Sequence, residues 1–349
     1  MIWAQKNVNL LPFNTFQVPC LALEFLEINT LKDTEMIDST QNPLTLGSGA
    51  NILFASPNYN GTVVKNNLKG KIIIKEDADN VWLEVASGEN WHDFVMGSAN
   101  AGWSGVENLA LIPGSVGAAA VGNIGAYGQS AGESIEAVKT ADGTVYASDQ
   151  CQFYYRDSIF KHELKNKFIT SVVFKLSKSP KGDTNYHGRF AYESLQTILD
   201  KFGNPPYSPK QIASAVVEQR TVKMPDWTKT GTAGSFFKNP FVKTSKFREL
   251  KNIIPDLQSY PVNRMLYPNP DDPVFAMTDA VKIPAGRLLD ELGWRGRRIG
   301  NVATYEKHAL IVINCGGATG QEILEFTQHM RLSVKDAYDI DLEPEVKII

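Results

Sequence analysis

Glu107–Gly128 reads ENLALIPGSVGAAAVGNIGAYG, and its glycines decide how the chain is read. Pro113, Gly114, Gly117, Gly122, Gly125 and Gly128 fall among alanines and a serine. Glycine gives up side-chain packing and costs backbone entropy on folding. Such a stretch suits a backbone that approaches something closely, commonly a phosphate or a flat cofactor ring. A loose surface loop is the bland alternative. Against it, Leu109, Leu111, Ile112, Val116, Val121 and Ile124 are interleaved, so the segment is expected to be buried and irregular. Its N–H groups then need partners, and a ligand would supply them.

A second glycine loop lies upstream at Gly47-Ser48-Gly49-Ala50-Asn51. It begins like a dinucleotide fingerprint, but the third glycine is missing. A strand, Ile52-Leu53-Phe54, follows where the helix of a Rossmann unit would begin. Two such loops offering backbone N–H groups to one pyrophosphate would need no Rossmann unit.

The rest of the composition narrows the class. At 349 residues the chain exceeds one ordinary core, so two or three domains are expected. With 43% hydrophobic and 21% charged residues it reads as globular, and a net charge of −3 argues against nucleic acid as the main partner. The three cysteines, Cys20, Cys151 and Cys315, read as small buried hydrophobes of a reducing compartment. The histidines show no zinc-ligand spacing, so no metal is expected. No signal peptide is legible, and no run approaches about 18 apolar residues, so a cytoplasmic protein outside the membrane is expected.

Along the chain the first third is strand-rich, with β-branched runs at 61–65, 71–75 and 81–86. Residues 31–40 suit a short helix and 91–101 a longer one, leading into the glycine stretch. Strands follow at 137–146, turning at Asp142-Gly143, and at 168–176. Beyond a polar break at 177–188, helices are expected at 192–201, 209–222, 245–254, 284–292 and 319–338. In the last of these Ile323, Phe326, Met330 and Val334 recur at helical spacing and read as core. A strand is expected at 309–314 and another at 341–348. Strands and helices do not alternate regularly, so the class is α+β.

Three further motifs carry candidate chemistry. In Tyr154-Tyr155-Arg156-Asp157-Ser158, spacing alone favours a surface Arg156–Asp157 ion pair. Ala233-Gly234-Ser235-Phe236-Phe237-Lys238-Asn239-Pro240 sets a hydroxyl on a glycine hinge, without the elbow or the histidine of a serine hydrolase. Leu342-Glu343-Pro344-Glu345-Val346 places two carboxylates on one face of a terminal strand. That face is usually solvent; a buried carboxyl there would instead be an acid or a hydrogen-bond donor.

Taken in order, LGSGANILF, GENWHDFV, GVENLALIPGSVGAAAVGNIGAYG, FYYRDSIFKHE, GTAGSFFKNP and LEPEVK resemble the UDP-N-acetylenolpyruvoylglucosamine reductase family from about Leu11 to the C-terminus. The resemblance implies the two-subdomain FAD-binding fold of the vanillyl-alcohol-oxidase (PCMH) type plus a C-terminal α+β substrate domain. It implies subdomains at 1–66 and 67–220, a substrate domain at 221–340, and a terminal strand, 341–349, returning to the second subdomain. The implied reaction is NADPH-dependent, FAD-mediated formation of UDP-N-acetylmuramate for peptidoglycan and the cell wall. A monomer acting on a small UDP-sugar is expected.

The resemblance also assigns residues. Ser235 matches the proton donor to the α-carbon, and Arg156 and Glu345 the pair that steadies the enolate. Gly47, Ser48, Gly49, Ala50, Asn51, Pro113, Gly114, Ser115 and Gly117 match positions against the FAD pyrophosphate. Asn123, Ile124, Gly125 and Arg220 match the flavin region. Tyr127, Tyr155, Lys223 and Asn239 match substrate positions, and Tyr192, with Tyr186 as a competitor, a tyrosine on a loop that closes over the nucleotide. Ala50, Ala120 and Gly122 depart from the family's usual serine, proline and glutamine, and local FAD contacts are expected to differ there.

Two other readings stay open on the residues. One is a flavin oxidase of the same fold, although no histidine sits in a motif for covalent flavin attachment. The other is a binding protein without catalysis, which retention of Ser235, Arg156 and Glu345 disfavours.

Overall fold

Each of the β-branched runs in the first third forms part of a strand, because branched side chains fit a pleated surface better than a helix. The computed structural model describes residues 4–40, 43–178, 193–262 and 279–349. The chain divides into two units. One comprises Met1–Val8, Ala22–Ser48 and Asn60–Val222; the other comprises Asn9–Leu21, Gly49–Tyr59 and Lys223–Ile349.

In the first unit a five-stranded antiparallel sheet runs in the order Val145–Ala147, Ile135–Thr140, Ile169–Ser177, Asn80–Ala86, Lys71–Glu76. The central strand, ITSVVFKLS, is buried along most of its length, as expected for a strand covered on both faces. Asp142 and Gly143 turn the hairpin as expected, with Gly143 at φ 82° and Thr140 N donating to Thr144 O at 3.0 Å. The helix Trp91–Asn100 starts where Asn90 accepts from Asp93 N. It seats Trp91 and Phe94 against Phe174 of the central strand, with Phe94 and Phe174 centroids 4.5 Å apart. The expected helix at 31–40 is 3-10 in form, Leu31–Ser39, opened by a Thr30–Asp33 capping box. A smaller sheet places Leu44–Leu46 parallel to Asn58–Asn66, which brings the Gly47 loop beside Lys65.

The glycine stretch differs from the irregular segment expected of it. Val116–Gly122 is a seven-residue helix, with Ser115 as its N-cap and Asn123 closing it in the left-handed region. Alanines at 118–120 favour the helix.

The second unit is built on an antiparallel sheet in the order Gly231–Ser235, His308–Asn314, Val302–Tyr305, Arg298–Ile299. The long helix Gly320–Tyr338 begins at a Thr319–Glu322 capping box. Its Ile323, Phe326, Met330 and Val334 are all buried, so that stripe is core, as read. The terminal strand departs from expectation. Lys347–Ile348 pairs parallel with Ile52–Leu53 of its own unit rather than with any strand of 67–220, and Pro344 makes an isolated antiparallel bridge with Phe237, also of that unit. At that bridge Lys238 N donates to Glu343 O and Glu345 N donates to Phe236 O, so the missing N–H of Pro344 is not called on.

Cys20 and Cys151 are buried, but Cys315 is exposed, against the expectation of three buried thiols. Among the described residues no helix is long and apolar enough to cross a membrane, and no cluster of three potential metal ligands occurs.

Candidate active site

In the first unit the two glycine segments meet at a cleft of about 180 Å³ lined by Gly47, Ser48, Gly114 and Ser115, with Lys65, Lys69 and Asn90 around it. The Lys65 ammonium donates to Gly47 O, and Lys69 donates to Gly88 O at 2.6 Å. Burial, with the Lys69 charge adding to it, holds the Lys65 ammonium below its ordinary pKa, against an opposing pull from Glu27. A Cβ built on Gly114 would meet nothing within 4 Å, whereas one on Gly47 would lie 2.4 Å from Ser115 Oγ. Gly47 is therefore needed for the approach of the two segments, and Gly114 leaves open space. A small polar cleft with two ammonium groups fits a diphosphate.

Gly117, expected at that diphosphate, is engaged elsewhere. The Gly117 N–H donates to Ser87 O at 2.8 Å, and a Cβ there would sit 2.8 Å from Ser87 Cβ. Close packing on Ser87 explains this glycine, and its N–H is not offered to a ligand. Gly49, Ala50 and Asn51 belong to the second unit, where Thr15 N donates to Gly49 O and Asn51 Nδ2 donates to Glu345 O at 3.1 Å. Pro113 sits half-buried just before Gly114.

A second cluster in the first unit gathers Asn123, Gly125, Tyr127, Tyr155, Arg156 and Arg220. Asn123 Nδ2 donates to Tyr154 O at 2.6 Å, tying the end of the short helix to the Tyr154–Asp157 turn. At that turn Arg156 has φ 58°, and its Nη2 donates to Gly125 O at 2.6 Å. The guanidinium also lies 5.5 Å from the Tyr155 ring centre. The Arg156–Asp157 pair favoured by spacing does not form. Asp157 instead meets His162 Nε2 at 2.7 Å, because the left-handed turn sends neighbouring side chains apart.

Arg220 Nε donates to Leu111 O at 3.2 Å. Its pKa is held down by burial and by the Arg156 charge, with Tyr127 pulling the other way. A guanidinium close enough to another for its charge to be felt favours an anionic guest. Tyr127 and Gly128, at φ 48° and 76°, form the tip of the Gly125–Ser130 hairpin. Asn108 Nδ2 donates to Tyr127 O at 3.0 Å, and its buried Oδ1 has no hydrogen-bond partner. Ile124 is half-buried against the same core.

In the second unit Ser235 and Glu345 come together. The strand pairing slips by one residue between Thr232 and Ser235, with Gly234 at φ 75°. This bulge re-aims Ser235. The next residue, Phe236, is buried, and its O accepts from Glu345 N at 2.8 Å. The two glutamates of the terminal motif part company. Glu343 is exposed and pairs with Lys238 at 2.6 Å, while Glu345 is half-buried. Asn239 Oδ1 accepts from Ala285 N at 3.0 Å, capping a helix, and Lys223 is exposed at the end of its own. Tyr192 and Tyr186 lie outside the described residues.

Sequence reasoning missed Lys65, Lys69 and Asn108. A lysine inside the β-branched run VVKN was the only available signal for the first.

The comparisons with known proteins bear on the family and the fold. A family model described as UDP-N-acetylenolpyruvoylglucosamine reductase, C-terminal domain, matches residues 226–349, and one described as FAD binding domain matches 38–148. The reductase of Flavobacterium johnsoniae is 34% identical over 354 residues, spanning 99% of both chains. That of Haemophilus ducreyi is 37% identical over 354 residues, spanning 98% of this chain and 95% of its own. The crystal structure of UDP-N-acetylenolpyruvylglucosamine reductase from Thermus caldophilus shares the fold, with a TM-score of 0.66 at 22% identity over 100% of this chain and 99% of that one. The expected α+β class, with an FAD-binding portion and a separate C-terminal domain, stands. The chain belongs to the UDP-N-acetylenolpyruvoylglucosamine reductase family, and is a flavin-dependent oxidoreductase of peptidoglycan precursor synthesis.

Proposed function

We propose that the chain converts UDP-N-acetylglucosamine enolpyruvate to UDP-N-acetylmuramate, with NADPH as the electron source. Full-length similarity to reductases of that name supports the overall reaction, and the aimed guanidinium of Arg156 carries the reading of its chemistry. Bound FAD would supply the hydride that adds to the terminal carbon of the enol ether.

The chain's own residues handle the charge and the proton. Hydride addition turns the terminal CH₂ into a methyl group and sends an electron pair toward the α-carbon and its carboxylate. Arg156, already braced on Gly125 O, is assigned to that developing charge, so little reorganisation is needed as the charge builds. Glu345 is its assigned partner. Ser235 is assigned to deliver the proton to the α-carbon, completing the C–H bond. A hydroxyl is a weak acid in water, but a strongly basic carbanion needs only a positioned donor.

Gly47, Ser48, Gly114 and Ser115, with Lys65 and Lys69, are assigned to the FAD diphosphate. Asn123, Ile124, Gly125 and Arg220 are assigned to the flavin region. Tyr127 and Tyr155 are assigned to the substrate, and Lys223 and Asn239 to its UDP diphosphate. Residues 1–66 and 67–220 would serve FAD and 221–340 the substrate, in a cytoplasmic monomer.

Turnover with deuterated NADPH in ordinary water tests the reaction. The reading expects deuterium in the product methyl group, and turnover in D₂O to place deuterium at the α-carbon. Consumption of NADPH without a lactyl product would overturn it.

A further inference from the structure

GENWHDFV is a motif of the family resemblance to which the reaction gives no chemical task, and its backbone and side chains run along the cofactor loop. Val116 N donates to Glu89 O at 3.0 Å, and Trp91 N donates to Gly114 O at 3.1 Å. Trp91 Nε1 donates to Leu109 O at 3.0 Å, and Asn90 bridges Ser115. His92 Nδ1 accepts from Leu111 N at 3.0 Å. Four residues of the motif thus grip the loop from Leu109 to Val116.

Leu111 is the unusual point in that loop. Its φ is 58°, a left-handed conformation that a bulky side chain rarely takes and that persists only where the surroundings over-determine it. Both of its backbone polar groups are held by side chains. His92 Nδ1 takes the N–H, and Arg220 Nε donates to the O at 3.2 Å. Release of either hold lets Leu111 relax, and Gly114 and Ser115 follow only three and four residues on.

We infer that His92 is a positioning residue for cofactor binding, holding Leu111 left-handed through an unprotonated Nδ1 so that Gly114 and Ser115 stay at the cleft. This rests on the reading of that cleft as the FAD diphosphate site. An imidazolium has no lone pair for the Leu111 N–H, so protonation of His92 breaks the hold. The charged groups facing the ring are Asp93 on its own helix and Arg220 on the helix Pro209–Lys223. Burial, with Arg220 adding to it and Asp93 opposing, keeps the ring below the ordinary histidine pKa. The hold is therefore intact at neutral pH and is lost on the acid side.

The test is the rate of FAD release from the holoenzyme, read by flavin fluorescence after dilution, between about pH 5 and 8. In the wild type, release accelerates toward the acid end. His92→Ala is expected to release FAD roughly tenfold faster at neutral pH, the worth of about one lost hydrogen bond, with the acid-side rise flattened. His92→Asn keeps an acceptor near the Nδ1 position without a titrating proton. It is expected to match the wild type at neutral pH and to lack the acid-side rise. An unchanged rise in His92→Asn overturns the inference, and that variant decides the matter even if His92→Ala does not fold. Amide hydrogen exchange over 109–116 gives a readout independent of the cofactor. Faster exchange there in His92→Ala with unaltered FAD release would leave the positioning of the loop standing and refute the diphosphate assignment; unaltered exchange refutes the positioning itself.

Discussion

Arg156 Nη2 and Gly125 O lie 2.6 Å apart, and the absence of a side chain at Gly125 makes that approach possible. A Cβ built on Gly125 would sit 2.7 Å from Arg156 Nη1 and 2.9 Å from Gln129 O. The glycine therefore sets the aim of the guanidinium, and the guanidinium closes over the glycine.

Gly125→Ala displaces Arg156 and presses on the Gln129 carbonyl across the hairpin, at a position whose φ an alanine can adopt. FAD is expected to remain bound while substrate reduction falls on the order of 10²-fold, the usual effect of losing one preorganised charge stabiliser. Single-turnover mixing of reduced enzyme with substrate measures this. A variant at the wild-type rate would remove Arg156 from the chemistry.

Ser235→Ala separates the two halves of the reaction. Flavin reduction by NADPH is expected to be nearly unchanged, while reoxidation by substrate slows by roughly 10²–10⁴-fold, the range of general acid catalysis. Stopped-flow absorbance of each half-reaction reads both rates. Equal slowing of the two would point to a folding defect or another role.

Lys65→Met removes the more buried of the two cleft ammonium groups, and FAD affinity is expected to fall by about tenfold or more. Lys69→Met is expected to cost less, because the Lys69 side chain is 60% exposed. The sign with pH follows from the lowered pKa of Lys65. Below that value the ammonium is charged and attracts the diphosphate. As pH rises through it the attraction is lost, so wild-type affinity declines on the alkaline side before an ordinary lysine titrates. Equilibrium FAD titrations across that range check the slope, which is absent in Lys65→Met.

The thiols differ in reach. Burial pushes the Cys151 thiol up to about 12 and the Cys20 thiol up to about 11, whereas Cys315 is exposed. Brief alkylation of the native protein at neutral pH is expected to label Cys315 alone by peptide mass spectrometry, since the thiolate is the reacting form. Labelling of Cys151 before unfolding would contradict its burial.

Patterning made much of the fold legible. The β-branched runs became strands, and the stripe at Ile323, Phe326, Met330 and Val334 became core, because period and burial are local properties of the sequence. The helix Val116–Gly122 was missed although its signals, Ser115 as cap and three alanines, were present; the surrounding glycines outweighed them. Side-chain partners were less legible. Arg156 turns to Gly125 rather than to adjacent Asp157, a choice made by a positive φ that no residue type announces. Lys65 reaches the Gly47 loop only because 44–46 pairs with 63–65, a long-range register. Gly117 looked like a ligand contact and is explained by Ser87.

The central claim is that one flavin is reduced by NADPH and reoxidised by the enolpyruvyl UDP-sugar. The most direct measurement is the anaerobic absorption spectrum of the purified holoenzyme, first with one equivalent of NADPH and then with UDP-N-acetylglucosamine enolpyruvate. The account predicts bleaching of the oxidised flavin bands by NADPH and their full return on adding the substrate. Bands that stay bleached after the substrate, or that bleach with substrate alone, would contradict it.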